Sequence, residues 1–127
     1  MKLEDKDLLL KDLCARLPYR VKCLVNYTFC VKSSTVDTLI AINQQTENYF
    51  FDWLCEWFNV DDFKPYLFPM SSMTEEQEKE YNDLNGYESG CFPHTEEALD
   101  YLIKNHFDYR GLIPKGLAID AIGLNIY

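Results

Sequence analysis

Residues 20–31 alternate between apolar and polar side chains, which is typical of a half-buried β-strand. The apolar positions are Val21, Cys23, Val25, Tyr27, Phe29 and Val31. A second alternation follows at 35–43, after a Lys-Ser-Ser turn. There we expect Val36, Thr38, Ile40 and Ile42 to share one face of the strand. The two patterns predict the start of an antiparallel sheet.

An aromatic run at 49–58 has an ambiguous period. A strand would align Tyr49, Phe51, Trp53, Cys55 and Trp57, whereas a helix would align Phe50, Phe51, Leu54 and Phe58. The aromatic density favours a strand. One strand face cannot bury six aromatic rings, so we expect some of Phe50, Phe58, Tyr66 and Phe68 to be exposed or to lie at an interface. The alternative is that helices cover both faces of the sheet.

Helical periodicity appears on both sides of these strands. Residues 4–17 form an amphipathic pattern that Pro18 ends. Two prolines make 61–69 irregular, and capping-box patterns then predict a helix that begins near Ser72 or Thr74 and runs to about Leu84. Thr95 is expected to cap a last helix over 96–106. The length fits one domain, 1–127, of α+β class. We expect an N-terminal helix, a small antiparallel meander of three or four strands, two C-terminal helices and an extended tail, in which 117–119 forms a short strand.

The charge of the chain is unevenly distributed. Net charge is −9, and residues 44–100 alone carry fourteen acidic and two basic residues. Such a stretch disfavours direct binding to nucleic acid, whose affinity comes largely from Lys and Arg on phosphates. Four glutamates of the predicted acidic helix, Glu75, Glu76, Glu78 and Glu80, are either a solvated face or a surface for a basic partner.

The five cysteines, Cys14, Cys23, Cys30, Cys55 and Cys91, lack C-x-x-C spacing, and their number is odd. No apolar run is long enough to cross a bilayer, and the first residues lack a signal-peptide pattern. We therefore expect reduced thiols, no membrane insertion and a cytoplasmic protein.

The most chemical-looking cluster is His106, Asp108 and Arg110. A histidine next to an aspartate could act as a general base, with the arginine holding an anion. A structural interpretation competes with it, because His106 falls at the end of a helix and could meet its carbonyl groups. Cys91 and His94 make at most half of a metal site, and no phosphate loop is present. We expect no cofactor and no metal.

Three segments resemble a known family. They are LCARLPY at 13–19, KPYLFPMSSMTEE at 64–76 and HFDYRGLIPKGLA at 106–118. In this order they resemble a family of small hypothetical proteins that is abundant in gut anaerobic bacteria, their prophages and their phages. The chain departs from that family at Phe68, where Arg is usual, and at Asp120-Ala121-Ile122, where an acidic-Ala-Pro step is usual. The resemblance implies a mobile-element setting and a helix–meander–helix plan, and it supplies no catalytic residues.

Together these features favour a non-catalytic binding module of a phage or mobile element. Its partner would be a host or phage protein with a basic surface, such as a host defence or nucleic-acid enzyme that the module inhibits. The predicted binding residues are Phe50, Phe58, Phe68, Glu75, Glu76, Glu78 and Glu80. The alternative is a small enzyme with its site near His106, Asp108 and Arg110. A deep pocket around His106 would favour the enzyme, and an aromatic or acidic face would favour the binder.

Overall fold

A computed structural model describes residues 1–85 and 95–127. The helices are α1 (Leu3–Arg16), α2 (Glu75–Asn85) and α3 (Glu96–Lys104). The strands are β1 (Lys22–Thr28), β2 (Lys32–Asn43), β3 (Asn48–Phe51), β4 (Trp57–Asn59), β5 (Phe63–Pro69), β6 (Phe107–Asp108) and β7 (Ile119–Asp120). The α+β class, the N-terminal helix, the antiparallel sheet and two further helices are as predicted.

The sheet has more strands than the sequence predicts. Its order is β4-β3-β2-β1-β5-β6, and β7 also pairs with β5. The strand pairs β4–β3, β3–β2, β2–β1 and β1–β5 are antiparallel, whereas β6 and β7 pair with β5 in parallel. The strands that precede α2, β1 to β5, therefore form the antiparallel part of the sheet. The segment after α3 adds the two short strands β6 and β7.

The prediction that 61–69 is irregular is wrong, because strand β5 spans Phe63–Pro69. Pro65 lies opposite Cys23 at the last pair between β1 and β5, so its missing N–H falls where that ladder ends. From Tyr66 onward, β5 no longer pairs with β1 but pairs first with β7 and then with β6. A proline is compatible with a strand at a position where the pairing partner changes. The two prolines alone do not reveal this in the sequence.

The aromatic run also departs from a single strand. β3 ends at Phe51, a turn follows, and β4 begins at Trp57. Cys55 closes the turn with a positive φ of 52° and donates its N–H to the carbonyl of Phe51 at 2.9 Å. The turn breaks the expected alternation, so Trp53 and Trp57 do not follow Phe51 into the core.

One face of the sheet packs against α1. Leu9 and Leu13 of the helix are fully buried in a core that includes Val21, Cys23 and Val25 of β1. The face predicted for β1 is thus confirmed up to Val25. Beyond it, the β1–β2 hairpin extends past the core, and Phe29 and Val31 are exposed.

The face predicted for β2 is wrong in its first half. Asp37 and Leu39 point to the core, whereas Val36 and Ile40 are exposed. A bulge between Leu39 and Ala41 shifts the register, so Ile42 then packs against the core. The buried carboxylate at position 37 explains the inversion, because its hydrogen bonds lie on the inner side.

Helix α3 packs against α2, β6 and α1. Thr95 caps it by accepting the N–H of Ala98 at 3.1 Å. Leu102 and Ile103 are buried, and Leu99 is half-buried. Within the described ranges, no helix has the length and apolarity needed to cross a bilayer.

Replacing Leu102 with Ala should lower the free energy of unfolding by about 2–5 kcal/mol, because a fully buried leucine loses its transfer energy and leaves a cavity. Leu124→Ala is the matched control, since Leu124 is half exposed, and it should cost less than about 1 kcal/mol. Urea denaturation of both variants measures the difference. Equal losses would show that α3 does not contribute to the core.

Candidate functional site

An open pocket lies where β5 ends, beside β6 and the C-terminal residues. Its volume is about 750 Å³. The lining residues are Phe68, Ser72, Gln77, Lys104, Asn105, His106, Phe107, Ile122, Gly123 and Tyr127. His106 is the one member of the sequence-predicted cluster that lines it.

His106 follows α3 in a left-handed conformation, with φ of 64°. Its N–H donates to the carbonyl of Ile103 at 3.1 Å, and its own carbonyl accepts the N–H of Phe68 at 2.8 Å. The backbone of His106 therefore ends the helix and joins it to β5. His106 therefore contacts the carbonyl groups at the end of the helix, as the structural interpretation expects, but it does so with its backbone N–H and not with its imidazole.

The imidazole of His106 stacks on Tyr127, with ring centroids 3.8 Å apart and planes at 13°. The Tyr127 hydroxyl accepts the N–H of Lys22 at 2.9 Å and donates to the carbonyl of Tyr66 at 2.7 Å. It thereby bridges β1 and β5 beyond their last backbone pair. Nδ1 of His106 is buried and has no hydrogen-bond partner in the described part of the chain.

Burial, and then the charges of Arg16 and Lys22, lower the pKa of His106 to about 4. The imidazole is therefore neutral at pH 7. A neutral imidazole could act as a base, but such a low pKa makes it a weak one.

Asp108 and Arg110 do not join His106 in one site. Both carboxylate oxygens of Asp108 accept backbone N–H groups, from Leu112 at 2.8 Å and Ile113 at 2.9 Å. Arg110 donates to Asp12 at 3.2 Å. Asp108 thus fixes the turn after β6, and Arg110 ties that turn to α1.

Asp12 is the centre of this buried ionic network. Arg16, one helical turn further along α1, donates Nε to Asp12 at 2.7 Å and Nη2 to the carbonyl of Phe107 at 2.6 Å. Asp12 and Arg16 are both fully buried. Tyr109 lies against both guanidinium groups, at 5.6 Å from Arg16 and 4.9 Å from Arg110.

A second candidate surface lies at the opposite edge of the sheet. We call it the aromatic edge: Trp53 in the turn after β3, and Trp57 at the start of β4. Their side chains are 73% and 50% exposed. Phe50 packs on Trp57 with ring centroids 5.2 Å apart. Asp52 and Glu56 are exposed beside the two tryptophans, so the aromatic edge has an acidic rim.

Asp37 holds the turn that presents Trp53. Its carboxylate accepts the N–H groups of Trp53 at 3.0 Å and Leu54 at 2.9 Å. Leu54 packs against the core. Hydrogen bonds to a carboxylate are stronger than neutral ones, so the turn is fixed from beneath while the indole stays in solvent.

The sequence predicts that some of Phe50, Phe58, Tyr66 and Phe68 are exposed or lie at an interface, and none of them is exposed within this chain. Tyr66 is buried, and the three phenylalanines are half-buried. Phe58 packs on Phe51, and Phe68 packs on Phe107 and Tyr127. The aromatic residues that are exposed in the described part of the chain are instead Tyr19, Phe29, Trp53, Trp57 and Tyr127, and Phe29 and Trp53 are the most exposed of them. The signal that the sequence reading missed is the Asp52–Cys55 turn, which shifts the phase of the aromatic run.

The acidic helix does not lie beside the aromatic edge. Glu75, Glu76, Glu78 and Glu80 are all exposed on α2. That helix packs on α3, which contacts β6 at the far edge of the sheet from β4. The fold thus places Phe50 and Phe58 at the edge of the sheet away from the acidic helix, whereas Phe68 lines the same pocket as Gln77 of α2.

Of the predicted thiols, Cys14, Cys23, Cys30 and Cys55 are free. Burial, and then the charge of Asp37, raise the pKa of Cys23 well above its usual value, which makes it unreactive. Cys91 and His94 lie outside the described residues. Within the described ranges, no group of three or more His, Cys, Asp or Glu side chains could hold a metal ion.

Comparison of the chain with protein-family models, with curated proteins and with solved structures gives no match. The function is therefore inferred from the geometry of the two surfaces.

The lowered pKa of His106 predicts how stability depends on pH. The unfolded chain binds a proton at a pKa near 6.5, whereas the folded protein resists protonation down to about 4. Stability should therefore rise with pH between about 4 and 6.5 and be insensitive to His106 above that range. The variant His106→Asn tolerates positive φ and cannot titrate.

Urea denaturation of the wild type and His106→Asn at pH 7, 5.5 and 4.5 isolates this effect from the carboxylates, which titrate in both proteins. The wild type should lose more stability than the variant on acidification. Parallel losses would show that His106 is protonated as easily in the folded protein as in the unfolded chain.

Proposed function

We propose that the protein is a non-catalytic binding module that contacts a basic protein surface through the aromatic edge. The observation that supports this most is the exposed indole of Trp53 on a turn that a buried carboxylate holds in place. Tryptophan is enriched among the residues that dominate binding energy at interfaces. A fixed anchor also loses little conformational entropy on binding.

The chemistry of the partner follows from the rim. Asp52 and Glu56 would meet Lys or Arg side chains around a desolvated aromatic centre. Apolar side chains extend the surface across the outer face of the sheet, with Val36 and Ile40 exposed on β2. A host or phage protein with an apolar pocket inside a basic rim fits this surface, in line with a role as an accessory protein of a mobile element.

The acidic helix would act at longer range. Glu75, Glu76, Glu78 and Glu80 add to the negative field that attracts a basic partner and repels nucleic acid. Exposed charges are screened over about 8–10 Å at moderate salt, so their effect should fall on association rather than on the bound complex.

The enzyme alternative rests on the pocket beside His106. Asp108 and Arg110 support it less than the sequence indicated, because each is engaged in a structural contact away from His106. The pocket itself favours binding of a small ligand, which is compatible with either function.

Trp53→Ala and Trp57→Ala should each weaken binding to a partner captured from a host lysate and then purified. We expect at least ~10-fold weaker affinity, mainly through faster dissociation, because each variant removes an aromatic anchor. Phe29→Ala is the matched control, since Phe29 is 76% exposed at the distant hairpin tip. Surface plasmon resonance gives both rate constants.

Charge variants separate the two acidic surfaces. Asp52→Asn with Glu56→Gln should slow association more than the four neutralising changes in α2, because only the first pair borders the contact. If neither tryptophan variant weakens binding and the neutralising changes in α2 do, the aromatic edge is not the contact surface. Tight binding to bare duplex DNA at moderate salt would contradict the charge argument.

A further inference from the structure

The pocket beside His106 is a site separate from the aromatic edge, at the other end of the sheet. Its volume of about 750 Å³ falls within the usual range for small-ligand sites, roughly 300–1,000 Å³. Several elements form its wall: Phe68 comes from β5, Phe107 from β6, and Tyr127 from the C-terminal residues. A cleft where several elements converge is a usual place for a ligand.

Four of the ten described residues that line the pocket carry aromatic rings. Phe68 lies 6.2 Å from Phe107 and 5.8 Å from Tyr127, and Tyr127 stacks on His106 at 3.8 Å. The hydroxyl of Tyr127 is held between Lys22 and Tyr66, which fixes its ring. Fixed, flat walls favour a planar ligand that packs against aromatic faces.

The charge of the pocket selects the sign of the ligand. Among the described residues that line it, Lys104 is the only one whose side chain carries a formal charge at pH 7, since the imidazole of His106 is neutral there. Lys104 lies in the last turn of α3 and forms no ion pair with another described residue. A lone cation at the rim is distinctive in a chain of net charge −9.

Aromatic walls can also bind cations. A site of that kind gains from a nearby carboxylate, and none of the described lining side chains carries one. Lys104 would moreover repel a cationic ligand. The amide side chains of Gln77 and Asn105 add polar groups near the same rim without adding charge.

We propose that this pocket binds a small planar aromatic anion, with its ring between the aromatic walls and its charge next to Lys104. The site is independent of the aromatic edge, so either proposal can fail without the other.

Three matched probes test the sign of the charge: 2-naphthoate, the neutral 2-naphthamide and the cationic 2-naphthylmethylamine. In a titration followed by ¹H–¹⁵N spectra at low salt, 2-naphthoate should shift the amide signals of Asn105, His106 and Gly123. The neutral probe should bind about 3- to 5-fold more weakly, as expected for one partly exposed charge pair, and the cation more weakly still.

Variants test the residues. Lys104→Met should remove the preference for naphthoate over naphthamide, and Lys104→Arg should retain it. Lys115→Met is the matched control, because it removes an exposed charge that does not line the pocket. Phe68→Leu should lower the affinity for 2-naphthoate and for 2-naphthamide by the same factor, since it removes an aromatic ring of the lining and no charge.

Equal affinity for the anionic and neutral probes, or a preference that survives in Lys104→Met, would overturn the proposal. Absence of binding at millimolar probe would overturn it as well. Shifts confined to Trp53 and Trp57 would show that the probes bind at the aromatic edge instead.

Discussion

The fold depends on a fully buried ion pair between Asp12 and Arg16. Removing two charges from water costs several kcal/mol each, and only good geometry with further hydrogen bonds offsets that cost. Arg16 meets this condition in part, through Asp12 at 2.7 Å and the carbonyl of Phe107 at 2.6 Å. Its Nη1 finds no partner among the described residues. Arg110 supplies the second cation against Asp12.

This pair joins parts of the chain that are far apart in sequence. Leu9 and Leu13 turn the apolar face of α1 onto the sheet, and the ion pair ties the last turn of this helix to β6. The bond from Arg16 to Phe107 sets the position of β6 next to β5, and Asp108 then orders the turn that returns Arg110 to Asp12. The pocket wall at His106 and Phe107 follows from the same constraint. A buried carboxylate has a similar role at the other edge, where Asp37 fixes the turn of Trp53.

The sequence predicted the elements whose evidence is local. The alternation of apolar and polar residues predicts β1, capping patterns predict α2 and α3, and Pro18 predicts the end of α1. It did not predict features that depend on distant partners. Asp12 reads as an ordinary helix acid until Arg16, Phe107 and Arg110 surround it.

The same limit applied to both candidate surfaces. By its alternation, Asp37 is predicted to lie on the polar face of β2. It is buried because the turn at 52–55 folds over it and donates backbone N–H groups to its carboxylate. Trp53 and Trp57 were placed in line with Phe51 for that reason. For the pocket, the sequence identified His106 but grouped it with Asp108 and Arg110, because spacing in sequence does not show where those side chains find their partners.

The central claim is that the Asp12–Arg16 pair holds the pocket end of the molecule and leaves the aromatic edge independent of it. Amide hydrogen exchange of Asp12→Asn against the wild type tests this most directly, at short times where local opening dominates. The account predicts lost protection at 105–113 and in α1, while the amides of Trp53 and Leu54 stay as protected as before. Equal loss at both ends, or loss confined to the aromatic edge, would contradict it.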